Sequence, residues 1–581
     1  MEFKQLQLLF SFFLVLTISS CSDSPGTGSS NSEAITTPLP TSVNNVDKRP
    51  NIILLIADDL GYSDLGSFGS EIKTPNLDAL AQSGKVLTNF HVGPTCSPTR
   101  AMLLSGTDAH HAGLGTMNGM QSAEQIGKPG YEGFLNKHVV TFVRLLKDAG
   151  YHTYMAGKWQ QGYKEGYFPL DRGFERAFWL KQGGASHFAD MSGIMEKGHP
   201  AHWAEDRQQL ESLPDDFYTS QYYTDKIIEY IDSAQNDGNP FFVYGAYTAP
   251  HWPLHAPQKY IDNYDGVYDV GYEVIRERRI KRMQALGLIS EGQQAAPRHQ
   301  EWPSWNELNE KQKKLEARRM QVYAAMVDAL DENIGRLVQH LKDIDEYDNT
   351  FIMFFSDNGA DGNNPHDIGN NPDWVPTIFD NSLENIGKPG SYASTGPGWA
   401  HVSSTPFHMY KGFPTQGGLR SPAIAVFPKS ISAGTRTDSF VTVLDIAPTI
   451  LELAGVDHPG VEYQGSDVRP LIGSSMLPLL KDLQTDIHGN DHVYGIELFN
   501  RRMIRQGDWK LLWINEPWGK NNWSLYNLAN DPGEQNDLSE ALPQKFNQML
   551  VLWQQYVNDN SVFVFSEFNM RYSNTNNHYK N

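Results

Sequence analysis

The apolar positions of this chain fall in short unbroken blocks separated by amphipathic stretches. Residues 51–57, 240–247, 350–356 and 423–427 are runs of Ile, Leu, Val, Phe and Ala with few polar interruptions. Such runs mark strands buried on both faces, whereas a strand with one wet face would alternate. A further strand is expected over 151–156. Between the blocks the apolar residues recur at helical spacing, which predicts helices over 74–84, 141–150, 219–235, 311–342 and 441–455. This alternation implies an α/β fold with a largely parallel sheet. After about residue 490 the texture changes. Residues 502–514 alternate as in an antiparallel strand, 523–528 suggest a partner strand, and 544–557 read as an amphipathic helix, so a smaller α+β subdomain is expected there.

The N-terminus follows another logic. An apolar run over 6–18 follows Lys4 and is too short to cross a bilayer, as in the core of a signal peptide. Ile18-Ser19-Ser20-Cys21 is similar to a bacterial lipobox, in which the cysteine is lipidated. Residues 22–49 are rich in Ser, Thr, Pro, Gly and Asn, the composition of a flexible tether. The expected organisation is a lipoprotein signal peptide (1–20), a tether (21–49), the main α/β domain (50–490) and the α+β subdomain (491–581). The charge-dense stretch 260–320, with Arg276-Glu277-Arg278-Arg279, is read as an insertion with solvated helix faces, because acids are interleaved throughout. The chain is expected to be exported, periplasmic or at the cell surface, and to meet the membrane only through lipid on Cys21.

At 581 residues, with 39% hydrophobic and 12% aromatic residues, the chain is long enough for a large core. Its 47 basic and 68 acidic residues give a net charge of −21, which argues against nucleic acid as a partner. The same charge repels anionic substrates at long range, so an anion site must gather local positive charge.

Polar clusters stand where the strands end. Asp58-Asp59 follows the first strand, and Asp357-Asn358-Gly359 follows the block at 350–356. In open α/β sheets ligands collect at these carboxyl ends. Three carboxylates and an amide are hard oxygen donors suited to Ca²⁺ or Mg²⁺ rather than zinc. Lys158 closes the strand at 151–156, His251 follows the block at 240–247, and Lys411 lies in Tyr410-Lys411-Gly412. Together they supply positive charge for an anion. The chain has two cysteines, Cys21 and Cys96. Cys96 precedes Ser97-Pro98-Thr99-Arg100 and a helical run, with Pro98 suited to the first turn. That places Cys96 at a positive helix end with Arg100 one turn on.

The extended segment Thr95-Cys96-Ser97-Pro98-Thr99-Arg100-Ala101-Met102-Leu103-Leu104-Ser105-Gly106 resembles the type I sulfatases of the alkaline phosphatase superfamily, in their bacterial arylsulfatase branch. Residues 272–287, 396–400 and 523–534 also look like that branch. The resemblance implies an alkaline-phosphatase-like, mainly parallel sheet with a small C-terminal subdomain. It implies that a maturation enzyme oxidises Cys96 to formylglycine. Asp58, Asp59, Asp357, Asn358 and the formylglycine from Cys96 would hold Ca²⁺ or Mg²⁺. Lys158, His251 and Lys411 would take the sulfate group, with His251 as general acid, and Arg100 would contact the formylglycine. The implied reaction releases sulfate from aryl sulfates, related organic sulfate esters or sulfated glycans.

One position departs from the family pattern: Gln160 stands where a histidine usually follows Gly-Lys-Trp. Glutamine hydrogen-bonds but does not exchange a proton near neutral pH. Slower breakdown of the sulfated intermediate is therefore expected, unless another base serves, for which His110 and His111 are candidates. Two other readings remain at this level: a phosphonate or phosphate diester hydrolase of the same superfamily, and an inactive surface-tethered binding protein. Specificity is expected from the loops 118–136, 182–211 and 361–392.

Overall fold

The apolar block at 51–57 forms the central strand β1 (Asn51–Ala57), every residue of which is buried. In this computed structural model, which describes residues 48–194, 199–234, 237–364, 374–564 and 578–579, β1 belongs to a ten-stranded sheet. The other strands are β2 (Lys85–Leu87), β3 (His152–Lys158), β4 (Arg176–Leu180), β5 (Trp203–Glu205), β6 (Gln208–Gln209), β7 (Phe241–Ala246), β8 (Thr350–Ser356), β9 (Ala423–Val426) and β10 (Thr435–Thr437). They lie in the order β10-β2-β9-β8-β1-β7-β3-β4-β5-β6. The central run β8-β1-β7-β3-β4 is parallel throughout. The signal-like run, Cys21 and nearly all of the tether lie outside the described residues. No helix among the described residues is long and apolar enough to cross a membrane.

The unbroken apolar runs are explained by helices on both sheet faces. Ile53 and Leu55 pack with α1 (Pro75–Ser83), α4 (Thr219–Ser233) and the 34-residue α6 (Glu310–Asp343). Ile52, Leu54 and Ile56 face the opposite core, built with α2 (Cys96–Ser105), α3 (Phe142–Asp148) and α9 (Ile446–Ala454). Successive side chains of a strand point to opposite faces, so a strand covered twice has no polar positions to spare. Three more helices matter below: α5 (Tyr272–Ala285), α7 (Gly396–Ser403) and the one-turn α8 (Gln416–Leu419).

The C-terminal region forms an antiparallel sheet of β11 (Val493–Leu498), β12 (Arg501–Gln506), β13 (Trp509–Ile514) and β14 (Asn522–Asn527). One face, with Ile504, Leu511 and Leu525, is covered by Met549, Trp553 and Tyr556 of α10 (Pro543–Asp559). From the other face Ile496, Met503 and Leu512 join the main core.

Three expectations need correction. The stretch 502–514 is two strands, β12 and β13, joined at Gly507, whose φ of 55° is one that glycine adopts without strain. The helix expected from 441 begins only at Ile446, because the Asp445 carboxylate accepts from Thr442 N (2.7 Å) and Ser474 N (2.8 Å) and fixes a tight turn first. Strand β9 runs antiparallel to β8, which leaves the central sheet largely parallel as expected. The run Arg276–Arg279 is not uniformly solvated: Arg279 is fully buried, bonded to Asp64 (2.5 Å) and Glu71 (2.8 Å). A residue-by-residue charge count does not see which side of α5 faces inward.

Candidate active site

Register brings the strand-end residues together. Ala57 pairs with Ser356, so Asp58 and Asp357 leave neighbouring strands at the same level. Gly157 pairs with Ala246, which sets Lys158 at that edge too, as the last residue of β3. Asp59 turns back into the site with φ 68°, a left-handed conformation that Asp tolerates better than most residues. Cys96 is the first residue of α2, behind an extended Thr95, and is buried. Donor atoms of Asp58, Asp59, Cys96 and His251 all lie within 4.8 Å of one another.

Opposite charges interlock around this group. Lys158 Nζ donates to Asp58 Oδ2 (2.6 Å), and Lys411 Nζ lies 2.6 Å from Asp59 Oδ1. Arg100 donates from Nε to Asp357 Oδ2 (2.8 Å) and from Nη1 to the Lys158 carbonyl (3.0 Å). Asn358 donates its amide to Asp59 Oδ1 (2.6 Å), and His251 Nε2 is 3.5 Å from Asp59 Oδ2. The imidazole is oriented through Nδ1, which pairs with the Trp252 carbonyl. All five residues taken as catalytic and all four oxygen ligands thus meet in one buried cluster. Arg100 has its hydrogen bonds on Asp357 and the Lys158 carbonyl, with Cys96 close enough to act on its charge.

Burial and charge set the protonation states. Burial opposes ionisation of Asp58, yet the charges of Lys158 and Arg100 hold its pKa well below the usual carboxylate range. Burial pushes Asp59 up, against the pull of Lys411 and with repulsion from Asp361 and Asp58 adding to it. Burial pushes the Cys96 thiol up to about 12, overriding the nearby lysines. An unmodified Cys96 is therefore a neutral thiol. His251 is pushed well below its ordinary value by burial and by Lys411, so its imidazole is neutral.

A metal ion fits this donor set. Asp58 Oδ1, Asp357 Oδ1 and Asn358 Oδ1 are buried and accept no hydrogen bond. Leaving a buried polar atom unsatisfied costs about 1–3 kcal/mol. Three such oxygens beside the cluster are what a hard cation would satisfy.

Other placements differ from expectation. Gln160 has φ 52°, and its amide lies against Gly183; its Oε1 is buried without a partner. The amide that reaches the Cys96 turn belongs to Gln161, whose Nε2 donates to the Ser97 carbonyl (3.0 Å). His110, a candidate for the alternative base, has both ring nitrogens directed at acids. Its Nδ1 pairs with Asp108 (2.8 Å) and its Nε2 faces Glu497 (3.5 Å) in a separate buried cluster. His111 does not join the donor group of Asp58, Asp59, Cys96 and His251. Sequence reasoning missed Asp361, 3.7 Å from Lys411 and bonded to Trp252 Nε1 (2.6 Å). Its signal was its place two residues beyond Gly359, on the same strand end. The three loops expected to set specificity do meet: Met120, Ile194, Trp374, Phe379 and Tyr392 pack around Trp252, next to His251.

A buried cluster of carboxylates with Arg100, Lys158 and Lys411 at the carboxyl edge of a parallel sheet suits chemistry on an anionic ester. The chain belongs to the sulfatase family: the family model named Sulfatase matches residues 50–456, and the model of the N-sulphoglucosamine sulphohydrolase C-terminal region matches 408–557. It is a sulfatase, an enzyme that hydrolyses sulfate esters. It is 43% identical over 530 residues to an uncharacterized sulfatase of Schizosaccharomyces pombe, covering 88% of this chain and 93% of that protein. It is 40% identical over 432 residues to an arylsulfatase of Klebsiella aerogenes, covering 74% of this chain and 91% of that protein. Among solved structures, Ps i-CgsB in complex with k-i-k-neocarrahexaose matches with a TM-score of 0.63 and 25% identity, over 89% of this chain and 95% of that one.

Proposed function

We propose that this protein is a formylglycine-dependent sulfatase acting on aryl sulfates and related organic sulfate esters. Asp58, Asp59, Asp357 and Asn358 would hold Ca²⁺, with Mg²⁺ as the alternative. The carrying observation is the set of three buried, unpartnered oxygens on Asp58, Asp357 and Asn358 beside Cys96. Charge supports it. Four carboxyl groups, on Asp58, Asp59, Asp357 and Asp361, face the three cations Arg100, Lys158 and Lys411, so a monoanionic ester entering this site needs added positive charge, which a dication would provide. In this reading formylglycine made from Cys96 by a maturation enzyme would, once water has added to its aldehyde, offer a hydroxyl as nucleophile toward sulfur, and a cation held by these residues would favour the ionised form of that hydroxyl.

The chain's own groups do the rest. Lys158 and Lys411 flank the pocket and neutralise charge on the sulfuryl oxygens as the ester bond stretches. His251, whose Nδ1–H donates to the Trp252 carbonyl, presents a bare Nε2 while neutral and would act as general acid toward the leaving oxygen once the bound ester's negative charge favours its protonation. Arg100 fixes Asp357 by gripping one of its oxygens. The apolar and aromatic cluster around Trp252 suits a flat, apolar leaving group. A sulfated glycan is the second reading, favoured by the fold shared with Ps i-CgsB in its neocarrahexaose complex. The lipobox-like Ile18-Ser19-Ser20-Cys21 supports export and anchoring by lipid at Cys21.

Mass spectrometry of the Cys96 peptide from protein made in a maturation-competent host, with sulfate release from aryl, alkyl and carbohydrate sulfates, tests the proposal. Aldehyde at Cys96 and fastest release from aryl sulfates are expected. An intact thiol in active protein, or faster turnover of a phosphate diester of the same phenol, would overturn it.

A further inference from the structure

Lys411 stands on a turn, outside any strand or helix, yet its ammonium must be placed accurately to meet a sulfuryl oxygen at hydrogen-bond distance. On the main-domain side the turn is tied by Lys411 N to the Ala360 carbonyl (3.0 Å) and by Gly412 N to the Pro94 carbonyl (2.7 Å), two residues before Cys96. Further holds come from the small C-terminal subdomain. Arg501, the first residue of β12, donates from Nη1 to the Gly412 carbonyl (2.6 Å) and lies over the Phe413 ring, 3.7 Å from its centroid. Its Nε donates to Asn515 Oδ1 (3.2 Å). Four residues further along the turn, Glu534 Oε2 accepts from Gln416 N (2.9 Å), the first amide of α8, while its other oxygen pairs with Lys510.

Both grips are made by charged groups removed from water: Arg501 is 0% and Glu534 4% exposed. Burying charges is unfavourable unless geometry is specific, and a planar guanidinium or a carboxylate fixes direction better than a neutral contact. Gly412 joins the two halves of the site. Its N–H holds the segment that leads into Cys96, and its C=O is held by Arg501. The Gly359 amide, next to Asn358, bonds the Gly418 carbonyl (3.2 Å), so α8 also touches the strand end that carries Asp357. The C-terminal family model begins at residue 408, so the Lys411 turn and both grips lie within one matched stretch.

We propose that Arg501 and Glu534 are positioning residues for Lys411, which makes the C-terminal subdomain a working part of the active site. The claim concerns the turn itself; only its kinetic readout rests on the sulfatase reading.

The test uses the full chain. Hydrogen exchange at the Lys411 and Gly412 amides is measured beside kcat and KM for an aryl sulfate, in R501Q, R501K and the double variants K510M/E534A and K510M/E534Q. R501Q and K510M/E534A are expected to speed exchange in 409–420 at least about tenfold, with the rest of the sheet unchanged, and to lower kcat about 10- to 100-fold. K510M/E534Q keeps an acceptor for Gln416 N and should recover most of kcat, whereas R501K, lacking the planar fork, should not. Unchanged kcat and exchange in R501Q and K510M/E534A, or exchange that rises uniformly through the chain, overturns the proposal. If the unaltered protein splits no sulfate ester, the sulfatase reading fails, and exchange alone decides the positioning claim.

Discussion

Arg100 grips a single oxygen of Asp357: Nε and Nη2 approach Oδ2 at 2.8 and 2.7 Å, and Oδ1 is left buried with no hydrogen bond. The guanidinium thereby fixes one carboxylate oxygen and leaves the second without a hydrogen-bond partner. Replacing Arg100 with Gln removes the orienting charge and leaves Asp357 uncompensated. Breaking a buried pair in this way costs about 3–5 kcal/mol. R100Q is expected to melt several degrees lower and to lose at least about 100-fold in kcat/KM, equivalent to about 3 kcal/mol of transition-state stabilisation. A variant with near-normal kinetics would remove Arg100 from the machinery.

The cation has its own signature, separate from turnover. Adding Ca²⁺ at a hundredfold excess over its dissociation constant should stabilise the fold by about 2.7 kcal/mol, read as a rise in Tm. Chelation should reverse the rise. In D357N and in D58N the rise should shrink or vanish, because each removes charge beside an oxygen that is unpartnered here. Equal Tm with and without Ca²⁺ in the unaltered protein would show that the oxygens serve another purpose.

Gln160 occupies the place where the family pattern has histidine, and Q160H is expected to raise kcat about tenfold at neutral pH by supplying a group that exchanges protons. The measurement is single-turnover and steady-state kinetics in parallel, since the gain should fall on breakdown of the intermediate. The left-handed backbone at Gln160 and its contact with Gly183 decide whether the imidazole reaches the site. An unchanged or lower rate counts against the idea.

His110 gives a pH dependence of stability that has nothing to do with catalysis. Burial alone would lower its pKa, but Asp108 and Glu497 reverse this and raise it from 6.5 to about 9. A folded value above the unfolded one means that protonation favours the fold. This stabilisation is whole below pH 6.5 and is lost as pH rises through about 9. It amounts to on the order of 3 kcal/mol. Tm should therefore fall between these limits, and H110Q should flatten that slope while lowering Tm at pH 6.5. A Tm profile unchanged by H110Q would mean that the cluster does not hold the charge.

Much of the fold was legible because the signals are local. A strand covered on both faces needs apolar residues at every position, and β1, β7 and β8 show this within seven residues or fewer. The long α6 announces itself by its 3.6-residue period. The short strands β2, β5 and β6, at two or three residues each, carry no period to detect, and β11 was hidden behind a polar loop. Arg279 shows the limit of charge patterning: one arginine of a charged run is buried because Asp64 and Glu71, more than two hundred positions away, meet it there.

By itself the sequence determined the alternation of strands and helices, the acidic and basic residues at strand ends, and the segment from Cys96 to Arg100 that carries the family chemistry. These depend on neighbours along the chain. The tertiary structure alone decided that Ala57 lies beside Ser356, which puts Asp58 next to Asp357; that Gln161 rather than Gln160 meets the Cys96 turn; and that Arg501 and Glu534 hold the turn of Lys411. Register, burial and contacts between distant segments come from packing both sheet faces at once, and no local period records them.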